Sequence, residues 1–358
     1  MAEREPVFRI SPKKAVLWGI VGMILIVGAV AGIGQLADYH KMLRALENAH
    51  KGWFALGLAG EIAAYVGYVV AYRDVARAFG GPRFDYWTST RVVIMGFGAF
   101  IAGSSFGTLG VDYWALSRAG EKPHQAVRRV LALNTLEWGI LAVLAMLAGA
   151  LTLAGWGEGA PDGMEIGWLA TVPLCIVAAV WVSQPDRAER LVALPRERGV
   201  LRRDPRTWPG WFWRVFRAAF ADAIGGVVLV RRLVTHPHEH GAAVSGFLIF
   251  WAGDIFTMWT ALMAFHIHVA LAPLVLAYTT AYVVTSLPLP AGGSGGVEAG
   301  LAFTLTAVGV PLAPALLATL VYRFYTLWLP IGLAALAVTQ VKELAEELPH
   351  VEHEPATI

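Results

Sequence analysis

Ser286-Leu287-Pro288-Leu289-Pro290-Ala291-Gly292-Gly293-Ser294-Gly295-Gly296-Val297-Glu298-Ala299-Gly300-Leu301 lies between two strongly apolar segments. Pro288 and Pro290 stop whatever helix precedes them. Gly292, Gly293, Gly295 and Gly296 give the backbone conformations that other residues resist. Glu298 opens the next helix, where a carboxylate suits the positive end of the dipole. At membrane depth a broken polar backbone is costly unless it faces protein or a water-filled cavity. The stretch is therefore expected to be both a turning point of the fold and a candidate site.

The composition supports a membrane setting. Of 358 residues, 57% are hydrophobic and 15% charged, with 14 tryptophans and 38 glycines; the mean hydropathy is +0.57. Trp gathers at membrane interfaces and Gly at helix contacts. Cys175, the single cysteine, lies in an apolar segment and is expected to be a buried, inert thiol. Arg9, Lys13 and Lys14 precede an apolar run at 15–36, which is long for a signal peptide and suits an uncleaved first helix.

Further spans are expected at 53–72, 130–154, 166–183, 241–263 and 313–338. On the second helix Glu61, Tyr65, Tyr68 and Tyr72 share one face, and such a polar stripe should face the bundle interior. Apolar runs at 92–102 and up to Leu116 flank Gly103–Gly110, and neither reaches the roughly 20 residues of a span. They suggest a re-entrant hairpin of two half-helices, and 269–287 with 297–309 suggest another. The fold class is thus all-α and polytopic, with about six full spans and two glycine-broken re-entrant hairpins. The segment 184–240 is arginine-rich, and 208–233 within it is aromatic and basic, as expected of an amphipathic helix on an anionic surface. The tail 340–358 is acidic and expected to be mobile.

A shift of 186 residues carries Gly107 onto Gly293, Thr108 onto Ser294, Gly110 onto Gly296, Asp112 onto Glu298 and Glu137 onto Arg323. The chain is therefore expected to be one membrane domain, 1–358, with repeat 1 at 53–154, repeat 2 at 241–338 and the basic segment 184–240 between them. The Lys/Arg bias makes 184–240 cytoplasmic and places the loop 155–165, which has no basic residue, outside. The two hairpins then enter from opposite sides, so the repeats are inverted and both termini are cytoplasmic, a plan shared by many transporters. The loop 38–52, with Lys41, Arg44 and Lys51, runs against this orientation.

The second half-helix of each hairpin begins after glycines, and its free N–H groups favour an anion such as phosphate. The candidate substrate-binding residues are Gly107, Thr108, Gly110, Asp112 and Arg118 in the first hairpin region, and Gly292, Gly293, Ser294, Gly295, Gly296 and Glu298 in the second. Asp112 and Glu298 either cap their helices, balance a cation or compete with the anion. Arg323 sits centrally in an apolar helix, sharing a face with Thr319, Thr326 and Pro330, and a mid-membrane Arg needs a partner or lines a route. Glu298 is the natural partner. Glu61, Glu137 and Asp254 are further intramembrane acids. His236, His238, Glu239 and His240 are too weak a linear cluster to predict a metal, and no cofactor is expected. No Gly-Lys pair of a Walker-type phosphate loop occurs.

Pro290, Gly292, Gly293, Gly296, Glu298 and Arg323 resemble the pattern of the lysylphosphatidylglycerol synthase transmembrane-region family, flippase-like integral membrane proteins that include the membrane half of bacterial aminoacyl-phosphatidylglycerol synthase/flippases. Ala291 and Ser294 depart slightly from that spacing. In the first hairpin Gly107, Gly110, Asp112, Leu116 and Arg118 fit loosely, without the family's proline. The resemblance implies translocation of a phosphate-bearing lipid, aminoacylated or polyprenyl forms included, across a bacterial or archaeal inner membrane. It does not imply synthase activity, because the aminoacyl-transferring domain has no counterpart here, and the chain is not expected to be an enzyme. The expected partners are membrane lipids, not nucleic acid. A homo-oligomer stays open, as does the alternative of a non-transporting subunit that docks a lipid- or glycan-modifying enzyme through 184–240.

Overall fold

A computed structural model describes residues 47–103, 105–157, 159–197, 208–286, 295–337 and 340–355. In chain order the helices are α1 (Gly52–Arg77), α2 (Tyr86–Gly103), α3 (Ser105–Arg118), α4 (Pro123–Leu153), α5 (Asp162–Val182), α6 (Pro185–Glu197), α7 (Trp208–Thr235), α8 (Pro237–Ala264), α9 (Leu271–Tyr282), α10 (Gly296–Ala307), α11 (Leu312–Arg323), α12 (Leu329–Ala337) and α13 (Val341–Glu347). No named strand occurs among the described residues. Among the described residues five stretches are long and apolar enough to cross a membrane: Gly52–Arg77, Pro123–Leu153, Asp162–Val182, Pro237–Ala264 and Leu312–Ala334. The chain is an all-α, multi-pass membrane protein. The expected helix at 15–36 lies outside the described residues.

The packing centres on α1 and α8, which run antiparallel along a seam of glycines. A Cβ placed on Gly67 would lie 2.5 Å from the Gly246 carbonyl oxygen, and one on Gly246 would lie 2.6 Å from that of Gly67. A Cβ on Gly253 would lie 2.5 Å from the Gly60 oxygen. Only glycine permits this approach, and in lipid such contact replaces the hydrophobic drive that water supplies elsewhere. The 186-residue shift carries Gly60 onto Gly246 and Gly67 onto Gly253, so each glycine meets the counterpart of the other. Such reciprocity marks a contact across a two-fold axis. For antiparallel helices that axis is perpendicular to them. The same shift carries the bounds of α1 to within one residue of those of α8.

The hairpins differ from each other. In the first, Gly107, Thr108 and Gly110 are helical rather than looped, because α3 begins at Ser105. One glycine costs a helix only about 1 kcal/mol, whereas an unpaired N–H in lipid costs several, so the backbone stays helical. The glycine serves packing: a Cβ on Gly107 would lie 2.1 Å from the Ala99 carbonyl oxygen. Thr108 Oγ1 donates to the Gly96 carbonyl across the hairpin at 3.0 Å. In the second hairpin α9 and a short 3₁₀ turn (Val283–Ser286) lead to the break, and α10 starts from Gly295, whose φ of +85° suits glycine.

At the periphery two expectations are corrected, those for Cys175 and the tail, and the basic helix gains contacts that the sequence did not indicate. Cys175 is exposed on α5, a helix with few buried residues, rather than buried. The basic segment does form the helix α7, but α7 is tied into the bundle: buried Asp222 binds His124 of α4 at 3.0 Å and Arg128 at 3.2 Å. The tail is docked as far as the structure describes it. Arg83 N–H donates to the Glu352 carbonyl at 2.7 Å and Glu354 N–H to that of Gly81 at 2.8 Å. His353 Nε2–H donates to the Ala119 carbonyl at 2.7 Å, and Leu344 and Leu348 are fully buried. Arg83 pairs with Glu354 and Arg91 with Glu347.

Two outcomes follow. Gly67→Val overlaps backbone and should cost about 3 kcal/mol or more, abolishing the monodisperse peak in detergent size exclusion. Gly139→Val, with nothing within 4 Å of its Cβ, should behave as the parent. The hydrogen bond and charge of Arg83 hold the Glu354 carboxyl below its ordinary range. That contribution is full above the ordinary range and fades as pH falls through the depressed one. The protection factor at the Glu354 amide, the observed exchange rate set against the intrinsic rate at the same pH, should therefore fall on acidification, by a small factor because the pair is solvated. Glu354→Gln should remove that acid dependence.

Candidate functional site

The polar interior gathers side chains from α1, α3, α4, α8, α9, α10 and α11. Its centre is the pair that joins the second hairpin to the helix after it. Arg323 Nε donates to Glu298 Oε1 at 2.8 Å, and both side chains are almost fully buried. The other oxygen, Glu298 Oε2, accepts the Gly295 N–H at 2.6 Å and so caps α10. Capping and ion pairing were alternatives in the sequence, and the one carboxylate does both. It occupies an anion's position, held by a helix N-terminal N–H and a guanidinium.

Arg323 is the last residue of α11, and a π-helical turn, Phe324–Trp328, follows at once. Leu329 N–H bonds back to the Phe324 carbonyl, five residues earlier. Pro330 explains the change of pitch, since it has no N–H for the Thr326 carbonyl and its ring crowds that oxygen. Single π turns recur at functional sites.

Around this pair lie hydroxyls and further acids. Asp254 Oδ2 accepts from Tyr278 Oη at 2.6 Å and from Tyr322 Oη at 3.2 Å. Tyr68 Oη donates to Glu137 Oε2 at 3.4 Å, and Trp251 Nε1–H donates to the Glu137 backbone carbonyl at 2.8 Å. Glu61 Oε2, Asp112 Oδ2, Asp254 Oδ1 and Arg323 Nη2 are buried without a hydrogen-bond partner among the described residues. So are the hydroxyls of Tyr65, Tyr72, Thr279 and Thr319. Buried polar atoms are normally satisfied, so this concentration of free capacity suits a ligand or a proton.

The structure thus assembles Glu298, Arg323, Glu61, Asp254, Glu137 and Asp112 as buried or half-buried groups on separate helices. Several hairpin candidates take places other than the start of a half-helix. Asp112 lies well inside α3, not at its N-terminus. Arg118 is in the last turn of that helix. Gly107, Thr108 and Gly110 are helical, and the first two are engaged in hairpin packing. Gly292, Gly293 and Ser294 lie outside the described residues, while Gly295 and Gly296 open α10. Tyr278 and Tyr322, which bind Asp254, were not singled out in the sequence. Tyr278 and Tyr282 are four apart on an apolar helix and so share a face, but neither that spacing nor the position of Tyr322 points to Asp254.

The two halves are unlike in charge. The shift carries Asp112 and Glu137 onto Glu298 and Arg323, so an acid–acid set in one half stands against an acid–base pair in the other. Residues 17–334 match the family described as the lysylphosphatidylglycerol synthase TM region. The chain belongs to this family. The match spans nearly all the described helices and makes this a membrane protein of a family related to lipid handling. A comparison with curated proteins finds no match.

Glu298→Ala strands a buried guanidinium and should lower stability by about 3–5 kcal/mol in thermal unfolding. Glu298→Gln with Arg323→Met removes both charges and should recover most of that loss.

Proposed function

We propose that this protein translocates a phosphate-bearing lipid across the inner membrane of a bacterium or archaeon, by transport and not by chemical conversion. The observation that carries the reading is the seat of Glu298. A carboxylate held by the N-terminal N–H of α10 and by Arg323 marks a position where a phosphate can take its place. Arg323 Nη2, buried without a hydrogen-bond partner, offers a further donor in the planar fork that suits a phosphate. Displaced from Gly295, Glu298 becomes free to neutralise a cationic part of the headgroup, as do Asp254, Glu61, Glu137 and Asp112.

Six ionisable side chains gather here, five acids and one arginine. Buried carboxylates beyond the one that Arg323 balances need a counter-charge or a proton. The set therefore suits a headgroup carrying both phosphate and amine, or a proton that travels with it. The reciprocal glycine seam supports inverted repeats, and such repeats alternate access to a site between them. In this scheme the acyl chains stay in lipid while the headgroup crosses through the polar interior.

The test uses the Glu298→Gln, Arg323→Met protein, chosen because it leaves no buried charge unpaired at the pair. Proteoliposomes carrying fluorescent phosphatidylglycerol should lose protein-dependent transbilayer movement, by at least about tenfold, a barrier change of roughly 1.4 kcal/mol. A folded double variant that moves the probe at the parent rate overturns the assignment.

A further inference from the structure

A cleft lies where α4 begins. Among the described residues, it has a volume of ≈ 870 Å³ and is bounded by the start of α4, by α6 and α7, and by the turn after α1. Its apolar lining includes Phe79, Ile224, Val228 and Leu229, and its cationic lining includes Arg128, Arg217 and Arg232. The acids present are Glu189 and Asp222, and Asp222 already binds His124 and Arg128. Neither Arg217 nor Arg232 has an acidic partner among the described residues. Arg232 lies over the Phe79 ring, 5.6 Å from its centroid. Phe79 itself has φ +51°, an unfavourable backbone for a bulky side chain and one that concentrates at functional positions.

One side chain is common to the cleft and to the Asp112 side of the interior. Arg129 lines the cleft, and Arg129 also lines a void of ≈ 10 Å³ shared with Asp112 and Tyr72. The guanidinium is held there by Glu121 at 2.8 Å and by the carbonyls of Ala78 at 2.6 Å and Val75 at 3.2 Å. Unpaired arginines over apolar walls, at the end of a membrane-spanning helix, match an amphiphile with an anionic head.

We propose that this cleft is a second binding site, which takes the phosphate ester of an anionic lipid from the adjoining leaflet between Arg217 and Arg232. The lipid's apolar part lies along Phe79, Ile224 and Val228. The site stands whether or not the chain moves lipid, and Arg129 is common to it and to the Asp112 side of the interior.

The experiment is calorimetric titration of the full chain, in an uncharged detergent, with dihexanoyl phosphatidylglycerol and separately with inorganic phosphate. The short-chain lipid should bind, and Arg217→Ala with Arg232→Ala should weaken it by at least about tenfold, as expected for loss of two charge-assisted contacts. Arg217→Lys with Arg232→Lys should restore part of the binding. Arg217→Ala alone, with an intermediate loss, serves if the double variant fails to give a monodisperse peak. Inorganic phosphate binding as tightly as the lipid assigns the same arginines to free phosphate. Absence of binding, or unchanged affinity in the alanine variants, overturns the site. The Glu298→Gln, Arg323→Met protein should keep cleft binding, so failure of the cleft and failure of the central site give different results.

Discussion

A guanidinium inside a bilayer needs a carboxylate beside it, and the interior of this protein is arranged around that need. Glu298 meets Arg323 from the first turn of α10, whose N-cap is Gly295. The same carboxylate satisfies that N-terminus. One side chain therefore joins the second hairpin to α11, closes a helix end and neutralises a buried cation. Removing it would expose all three demands at once.

The second constraint is the satisfaction of backbone polar groups. It explains why the two hairpins, alike in sequence order, differ in form. With no proline in its glycine segment, the first keeps Gly107, Thr108 and Gly110 helical and uses glycine to bring α2 against α3. The second carries Pro288 and Pro290 ahead of its glycines, and α10 must begin afresh. The electrostatic difference follows the same division. Arg323 has its acid, whereas the corresponding position in the first half holds Glu137, whose nearest partner is a tyrosine. A cationic ligand or a proton is the natural complement to that half.

The glycine seam of α1 and α8 supplies the frame. Its contacts are reciprocal under the 186-residue shift, Gly67 against Gly246 and Gly60 against Gly253. At one end of the bundle the docked tail ties Glu347 of α13 to Arg91 of α2, and residues 352–354 to the turns after α1 and α3, through ion pairs and hydrogen bonds. At the start of α4, α7 is held by Asp222 and forms one wall of the basic cleft.

Much of this was legible in sequence. Apolar length marked the spans, because a bilayer demands about 20 residues. The cost of a buried charge marked Arg323, and helix periodicity marked the face that carries Glu61 and Tyr68. Glycine was harder to read, because a glycine that loosens a loop and one that admits a neighbouring backbone look alike; only the approach of Ala99 to Gly107 decides between them. The docking of the tail was hidden because acidic residues signal solvent until Arg83 and Arg91 are placed beside them. Tyr278 and Tyr322 were silent as site residues for the same reason, their role being conferred by Asp254 on another helix. By itself the sequence determined the helices, the break and the charge that required a partner, since these follow from local chemistry and the thickness of a membrane. The tertiary structure alone decided that one carboxylate both pairs and caps, which acids are left without a cation and which walls the arginines of α7 line, since these depend on contacts between segments far apart in the chain.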